Sequence, residues 1–451
     1  MPITSLAFVT FVLAVLAINA IVPRRIRPLW LLVSSYAFYA TWSLRLLPAL
    51  AVVTVANFVA AARLHTSRRR RGWLWGGIAG NVLAMLAFRH TPWLGAATVV
   101  GVSFYGVQAI SYLVDTYSGA LRIRPTLVEL AVYLAYFPKL LAGPIERTTP
   151  FVTSLRNPRP VDPEVTAHAV ALIAIGSIRK LLIAEPLRLQ IPGGVFATPA
   201  AFPAATLLSA VVTLLLYVYN DFAGYTDIVR GISLRLGIPL SVNFAQPFFA
   251  KDFSQFWSRW HASLSRWLRD YVYLPMSRVI LRRRPSPHSL PNLVVPPLGA
   301  MLVSAIWHGG KGGMMLWGAL QGSYLIAGRV AGSRRRASGL GGAAWRRVFG
   351  SVRVFVLVAV AFVAARAGVT GSFALWTSIA RNGGWALPSR AVGLLIGFSF
   401  LLDAVQYGSG DEVIVLRWPR LVQAALLACT IVACTLATTY ETPATFLYQG
   451  F

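Results

Sequence analysis

The sequence predicts a polytopic, all-α membrane protein, and three observations carry that prediction. Hydrophobic residues fill 56% of the 451 positions and charged ones only 12%, about half the charged share of a soluble domain. Apolar runs close to membrane length recur along the whole chain. The Lys and Arg residues gather in the connections between those runs. A mean hydropathy of +0.63 agrees. Together these exclude a soluble enzyme, a disordered tail and a collagen-like fibre. The formal net charge of +28 would suit a polyanion. A nucleic-acid binder of that charge would not also carry membrane-length apolar runs, so no nucleic-acid partner is expected.

The first run, Ile3–Val22, has no basic residue before it and reads as a retained span rather than a cleavable signal. Further runs follow at 29–42, 46–62, 73–88, 94–114, 127–142, 165–184, 205–219, 294–307, 312–330, 351–366, 390–406 and 421–439. Several fall short of the ~20 residues of a straight span, so about ten to twelve true spans are expected, with re-entrant or interfacial helices among the remainder. Pro23, Pro28, Pro48, Pro138, Pro192 and Pro203 mark run ends. Basic clusters lie at Arg24-Arg25-Ile26-Arg27, Arg68–Arg71, Arg122-Ile123-Arg124, Arg282–Arg284, Arg334–Arg336 with Arg346-Arg347, and Arg417 with Arg420. Cytoplasmic loops are enriched in such residues. The first two clusters then lie inside with a hairpin at 29–62 between them, which places the N terminus outside the cytoplasm. Most of the charge thus reports topology and contact with anionic membrane lipids. The loops long enough for extra structure are 143–165, 186–204, 237–293 and 331–350. Cys429 and Cys434 fit no metal or redox spacing and read as small apolar filler.

The chemistry concentrates in Asn220–Pro275. Asp221, Asp227, Asp252 and Asp270 are four of the chain's 14 carboxylates. Acids near a membrane face a cavity or a partner, and Arg230 or Arg235 are candidate partners for Asp221 and Asp227. Phe253–Tyr271 reads as one amphipathic helix. Phe253, Phe256, Trp257, Trp260, Leu264, Trp267, Leu268 and Tyr271 fall within an arc of about 120°, with Arg259, Arg266, Arg269 and Asp270 opposite. Such a helix suits a membrane interface or a headgroup-level cavity. His261 sits at the edge of the aromatic face, where a satisfied structural histidine competes with a functional one. His308 closes the run 294–307 and precedes Gly309-Gly310, where backbone can bend around a substrate. A neutral imidazole there can take a proton from a hydroxyl; a hydrogen bond to a neighbouring helix is the alternative use. The chain has no G-x-S-x-G, H-E-x-x-H or Walker A motif. His65, His90, His168, His261, His288 and His308 make no metal-spaced set, so no metal is expected. A transporter or flippase with Asp221, Asp227, His261 and His308 as relays is the rival reading. It would be favoured by internal hydropathy symmetry, which the sequence lacks.

These residues carry a resemblance. Asp221-Phe-Ala-Gly-Tyr-Thr-Asp227, Asn243-Phe-Ala-Gln-Pro-Phe248, the block from Phe256 to Pro275, and Ile306-Trp-His-Gly309 resemble the membrane-bound O-acyltransferase family. The match lies in its bacterial branch, near the enzymes of alginate O-acetylation and further from those of teichoic acid D-alanylation. Val102–Tyr105, Ser111–Asp115, Phe137-Pro138, Ala142–Ile145 and the terminal Thr445–Tyr448 with Phe451 extend it. Ala361–Arg366 follows the family pattern only loosely, and the basic stretch 331–350 is peculiar to this chain. The resemblance implies one multi-pass domain over residues 1–451 with its signature core at about 217–330. It implies a ring of helices around a central tunnel, and transfer of an acyl group, expected to be acetyl, from a thioester to a hydroxyl. It implies His308 as the catalytic base and His261 as the second histidine. No tightly bound cofactor is implied; the acyl donor, on coenzyme A or a carrier's phosphopantetheine, is a co-substrate delivered from the cytoplasm. Arg259, Arg266 and Arg269 are candidates to receive its anionic groups. Asn243, a Trp indole N–H or backbone N–H groups are open candidates for stabilising an oxyanion. The acceptor is expected to be a cell-surface polysaccharide, or a glycosylated or lipid product. It would be reached directly or through an extracytoplasmic partner acyltransferase, from the bacterial inner membrane.

Overall fold

A computed structural model describes residues 1–89, 101–337, 344–385 and 389–439. Among them every regular element is a helix. Six helices among the described residues are long and apolar enough to cross a membrane: Leu44–Thr66, Pro163–Leu189, Ala204–Arg235, Leu290–Trp307, Trp345–Arg381 and Arg390–Ser409. Leu6–Ile21 and Arg420–Ala433 are shorter apolar helices. This is the polytopic all-α class that the composition predicts. A helix satisfies its own backbone polar groups, so it can cross a medium that offers no hydrogen bonds. The chain divides into two compact units, each drawn from separated stretches of sequence.

The first unit holds Met1–Ile178, Gly224–Val242 and the described residues from Val415 to Thr439. Its helices start where local chemistry says they should. Ser5 accepts from the Phe8 N–H ahead of Leu6–Ile21. Pro28 and Pro48 occupy the first turns of Arg27–Ala40 and Leu47–Thr66, where a missing N–H costs nothing. Thr126 and Glu129 form a reciprocal capping box before Leu127–Ala135, and Arg156 holds Glu129 at 2.7 Å. The stretch Leu130–Leu141 is almost wholly buried. Phe137 packs with Phe11 and Phe38 there. Helix Pro163–Ser177 meets the last turns of Ala204–Arg235 through glycines. A Cβ on Gly176 would lie 2.6 Å from the Gly224 carbonyl, and one on Gly231 2.6 Å from that of Ala169. Small residues let helix backbones approach closely.

The second unit holds Arg179–Ala223 and Asn243–Ile414. Its centre is the hairpin of Leu290–Trp307 and Gly312–Ala337. Gly318 sits against Met301 and Ala305, and Gly322 against Leu298. Gly313 meets the backbone of Ala364 and Gly368 on the next helix, Ala344–Arg381. That helix kinks at Gly368, where φ is +74°.

Three expectations change. The run at 205–219 is only the start of a helix that continues to Arg235. Its polar residues do not end it, because they find partners inside the protein. The supposed loop 331–350 is largely helical, since Gly312–Ala337 runs through Arg334–Arg336 and Ala344–Arg381 starts soon after. Arg and Ala are strong helix formers once an apolar run has started the helix. The amphipathic segment is broken, as described below. His90, the start of the run at 94–114, and the closing Thr445–Tyr448 with Phe451 lie outside the described residues.

The hairpin packing is directly testable. A Cβ on Gly318 would meet Ala305 Cβ and the Met301 carbonyl at 2.8 Å, whereas one on Gly328 meets nothing within 4 Å. Gly318→Val should lower the unfolding midpoint of detergent-purified protein, at a cost of about 1–3 kcal/mol for overpacking. Gly328→Val should not. Equal midpoints would contradict the packing.

Candidate active site

Asp252 opens the helix Phe253–Arg259 by accepting from the Gln255 N–H. The helix stops at Trp260, whose N–H bonds the Phe256 carbonyl. His261 then takes the left-handed conformation, with φ at +42°, and a new helix, Ala262–Leu268, begins. A π-helical turn, Arg269–Tyr273, and Leu274–Arg283 follow. The single amphipathic helix expected over Phe253–Tyr271 is therefore two helices and a π turn. Its two faces survive: Phe253, Phe256, Trp257, Trp260, Leu264, Trp267 and Leu268 are buried, and Arg266 and Arg269 are exposed. A non-glycine residue held at positive φ costs about 1–3 kcal/mol and persists only when its surroundings demand it.

Here the demand comes from the segment around Asn243. The Ala262 N–H bonds the Asn243 carbonyl, and the Ala245 N–H bonds the Arg259 carbonyl. These two bonds strap the break on both sides. The Asn243 side chain completes the strap. Its Oδ1 accepts from the Ser263 N–H at 3.2 Å and the Ser263 hydroxyl at 2.9 Å, and lies 3.2 Å from His261 Nδ1. The backbone N–H can only donate, which fixes the amide with its oxygen toward Ser263. His261 Nδ1 must then carry a proton, and the lone pair falls on Nε2. His261 is 2% exposed and lies outside the candidate spans. Burial, with the nearby His308 adding to it, holds its pKa well below the ordinary imidazole range.

His308 follows the last residue of Leu290–Trp307, its N–H bonded to the Ser304 carbonyl. Gly309 and Gly310 take φ of +138° and +65°, conformations that favour glycine. The turn expected from Gly-Gly is thus present. The His308 ring meets Trp307 edge-on at 4.6 Å and Trp317 at 5.8 Å. The His261 ring lies 6.2 Å from Trp307 and 4.9 Å from Phe222. Both histidine rings thus pack near the same indole, Trp307. Trp257 packs on Trp317 at 5.9 Å and closes the aromatic wall.

The three arginines behave differently from one another. Arg259 lies over the Tyr407 ring at 5.2 Å and reaches the Gln246 carbonyl. Arg266 and Arg269 are on the outer face. Among the buried side-chain donors with no acceptor among the described residues are Asn243 Nδ2 and Trp257 Nε1. An unsatisfied buried donor costs about 1–3 kcal/mol.

Sequence reasoning missed two buried ion pairs, Lys180–Asp221 and Arg179–Asp403. Asp221 pairs with Lys180, not with Arg230 or Arg235. Arg230 lies on the opposite side of the helix from Asp221 at about 100° per residue; it pairs with Asp227, one turn away, as the sequence suggested. Arg235 donates to Thr166 Oγ1. Arg179 binds Asp403 at 2.6 Å, together with Gln406 and Asn220. Tyr219 donates to the same Asp403 carboxylate. The available signal was Arg179-Lys180 inside an apolar run, since charges at membrane depth require partners. Both residues lie in the π-helical turn Ile178–Ala184, an irregularity frequent at functional sites. Among the described residues no cluster of three or more His, Cys, Asp or Glu is placed to hold a metal ion.

The model of the membrane-bound O-acyltransferase family matches residues 81–367, which include both histidines and the aromatic wall. The chain belongs to this family. Among curated relatives, the "Probable alginate O-acetylase" of Pseudomonas putida is 29% identical and aligns over 95% of each chain. The protein of the same name from Azotobacter vinelandii is 32% identical over 68% of this chain and 64% of its own length. The peptidoglycan O-acetyltransferase of Helicobacter pylori is 28% identical over 71% of this chain and 67% of its own. A teichoic acid D-alanyltransferase of Streptococcus thermophilus is 27% identical over 50% of this chain and 56% of its own. This member of the family is an acyltransferase set in a membrane, as the sequence-level resemblance implied.

Two measurements check the site's electrostatics. Removing one partner of a buried pair strands the other charge, at about 3–5 kcal/mol. Asp221→Asn should therefore lower the unfolding midpoint in detergent more than Lys180→Met combined with Asp221→Leu; the reverse order would contradict the pairing. An imidazole held neutral in the fold takes up its proton only on unfolding, below about pH 6.5. Stability should fall as pH drops from about 7.5 to about 5, and His261→Gln should flatten that slope. Parallel slopes would refute the burial of a neutral His261.

Proposed function

We propose that this protein transfers an acetyl group from a thioester to a hydroxyl of a cell-surface polysaccharide, with His308 as the general base. The observation that carries the proposal is the placement of His308: on a glycine turn, against Trp307, near which the buried His261 also packs. The names of the relatives, alginate O-acetylase and peptidoglycan O-acetyltransferase, support a polysaccharide acceptor and an acetyl group.

The chemistry follows from the weakness of the nucleophile. A hydroxyl near neutral pH needs a base at its proton. His308 takes that proton as the hydroxyl oxygen attacks the thioester carbon. The carbonyl pair moves to oxygen, and the tetrahedral intermediate collapses by breaking the C–S bond. The thiolate leaves and recovers the proton from the His308 imidazolium. His261, with Nδ1–H held by Asn243, offers Nε2 as an acceptor that orients the reacting groups. The donor is the thioester of coenzyme A or of a carrier's phosphopantetheine, arriving from the cytoplasm. Arg259, Arg266 and Arg269 meet its phosphates. The protein works in the bacterial inner membrane with its N terminus outside the cytoplasm, and hands the acyl group to the acceptor directly or through an extracytoplasmic partner acyltransferase.

His308→Ala should reduce transfer from labelled thioester donor by about 10²–10⁴-fold, with expression and membrane insertion unchanged. Purified protein in detergent provides the assay, and a covalent acyl product is the readout. Wild-type activity in His308→Ala would overturn the assignment. Solute uptake into vesicles without any acylated product would overturn acyl transfer itself. Mass spectrometry of the cell envelope with and without the gene should show the acetyl mass lost from a polysaccharide.

A further inference from the structure

Asn243 is bound on one side of its amide and unbound on the other. The oxygen accepts from the Ser263 N–H and hydroxyl and contacts His261 Nδ1. The nitrogen, Nδ2, is buried and meets no acceptor among the described residues, although the residue as a whole is 1% exposed. The three contacts on the oxygen fix the amide plane, so the N–H bonds have set directions. The residue is joined to His261, whose ring shares Trp307 with His308. A rigid, unsatisfied donor joined to His261, whose ring packs near the same indole as His308, is suited to stabilise charge developing on an acyl oxygen. Trp257 Nε1 is the other unpartnered donor of this wall, but no hydrogen bond links it to either histidine.

We infer that the Asn243 Nδ2–H donates to the thioester carbonyl oxygen and to the oxyanion that forms there, making Asn243 a catalytic residue. The inference rests on the acyl-transfer reading above and sharpens it. The hydroxyl oxygen bonds to the carbonyl carbon, its proton passes to His308, and the carbonyl π pair moves to the oxygen held by Asn243. When the C–S bond breaks, that pair returns to re-form the carbonyl, and the thiolate takes the proton back. Products are an ester and a thiol, with no other reactant. Asn243 gains and loses no proton; it holds the oxygen while the charge is there. The same side chain therefore serves both halves of the site, with its oxygen on His261 and its nitrogen on the substrate.

Two variants separate these duties. Asn243→Asp keeps an oxygen for Ser263 and His261 and deletes the donor. Asn243→Ala deletes both. Full-length protein is purified in detergent, its folding is checked by unfolding midpoint, and S-acetyl pantetheine is the donor. Asn243→Asp should lower kcat by about 10²–10³-fold with KM for the thioester nearly unchanged, and Asn243→Ala by at least as much. The ketone analogue of S-acetyl pantetheine, with methylene in place of sulfur, gives a reading independent of turnover. Its infrared carbonyl stretch should be lowered on wild-type protein, and should return toward the free value on Asn243→Asp or, if that variant does not fold, on Asn243→Ala. Retained kcat in Asn243→Asp with loss in Asn243→Ala would confine Asn243 to holding His261 and would overturn the inference. So would an unchanged carbonyl stretch. A wild-type protein without acyl transfer, or an active His308→Ala, would instead defeat the underlying reading.

Discussion

Polar groups enclosed by apolar helices must find partners within the chain, and the second unit is organised by that demand. Lys180 and Asp221 meet where neither could be left alone. Arg179, Asp403, Tyr219, Asn220 and Gln406 form a second hydrogen-bonded set. Each pair joins residues distant in sequence, so satisfying the charges also fixes which helices are neighbours. Because breaking a buried pair costs more than making it gains, such pairs select one packing rather than add much stability.

The same demand explains the break at His261. A continuous helix through Phe253–Tyr271 would leave the Asn243 segment without its bonds to Ala262 and Ser263 and would turn His261 with the rest of the helix. The two backbone bonds of the strap, with those to the Asn243 side chain, compensate for the left-handed residue. The result is a histidine whose tautomer and ring plane are set by its neighbours rather than by solvent. Strain of this kind clusters where a side chain must be aimed.

At His308 the device differs. His308 is placed by a helix end and two glycines, and its helix is locked to the next by Gly318 and Gly322 packing against Met301, Ala305 and Leu298. One histidine is therefore fixed by polar bonds and the other by backbone geometry. Trp307, with Trp317 and Trp257, lines this part of the site with aromatic rings.

Much of this was legible in the sequence. Composition and run length alone determine an all-helical membrane protein, because only helices or closed barrels satisfy backbone groups in lipid and the runs lack strand alternation. The aromatic and arginine faces of Phe253–Tyr271 followed from helical spacing. The Gly309-Gly310 turn after His308 followed from glycine's access to positive φ. The tertiary structure alone decided the rest. Helical spacing could not reveal the break at Trp260–His261, since the force that makes it comes from Asn243, eighteen residues away. Nor could it pair Asp221 with Lys180 or Arg179 with Asp403, because those partners lie on different helices and charge pairing depends on distance in space. The sequence supplied two histidines and an asparagine; only the fold placed one amide so that its oxygen faces one histidine and its nitrogen meets no acceptor among the described residues.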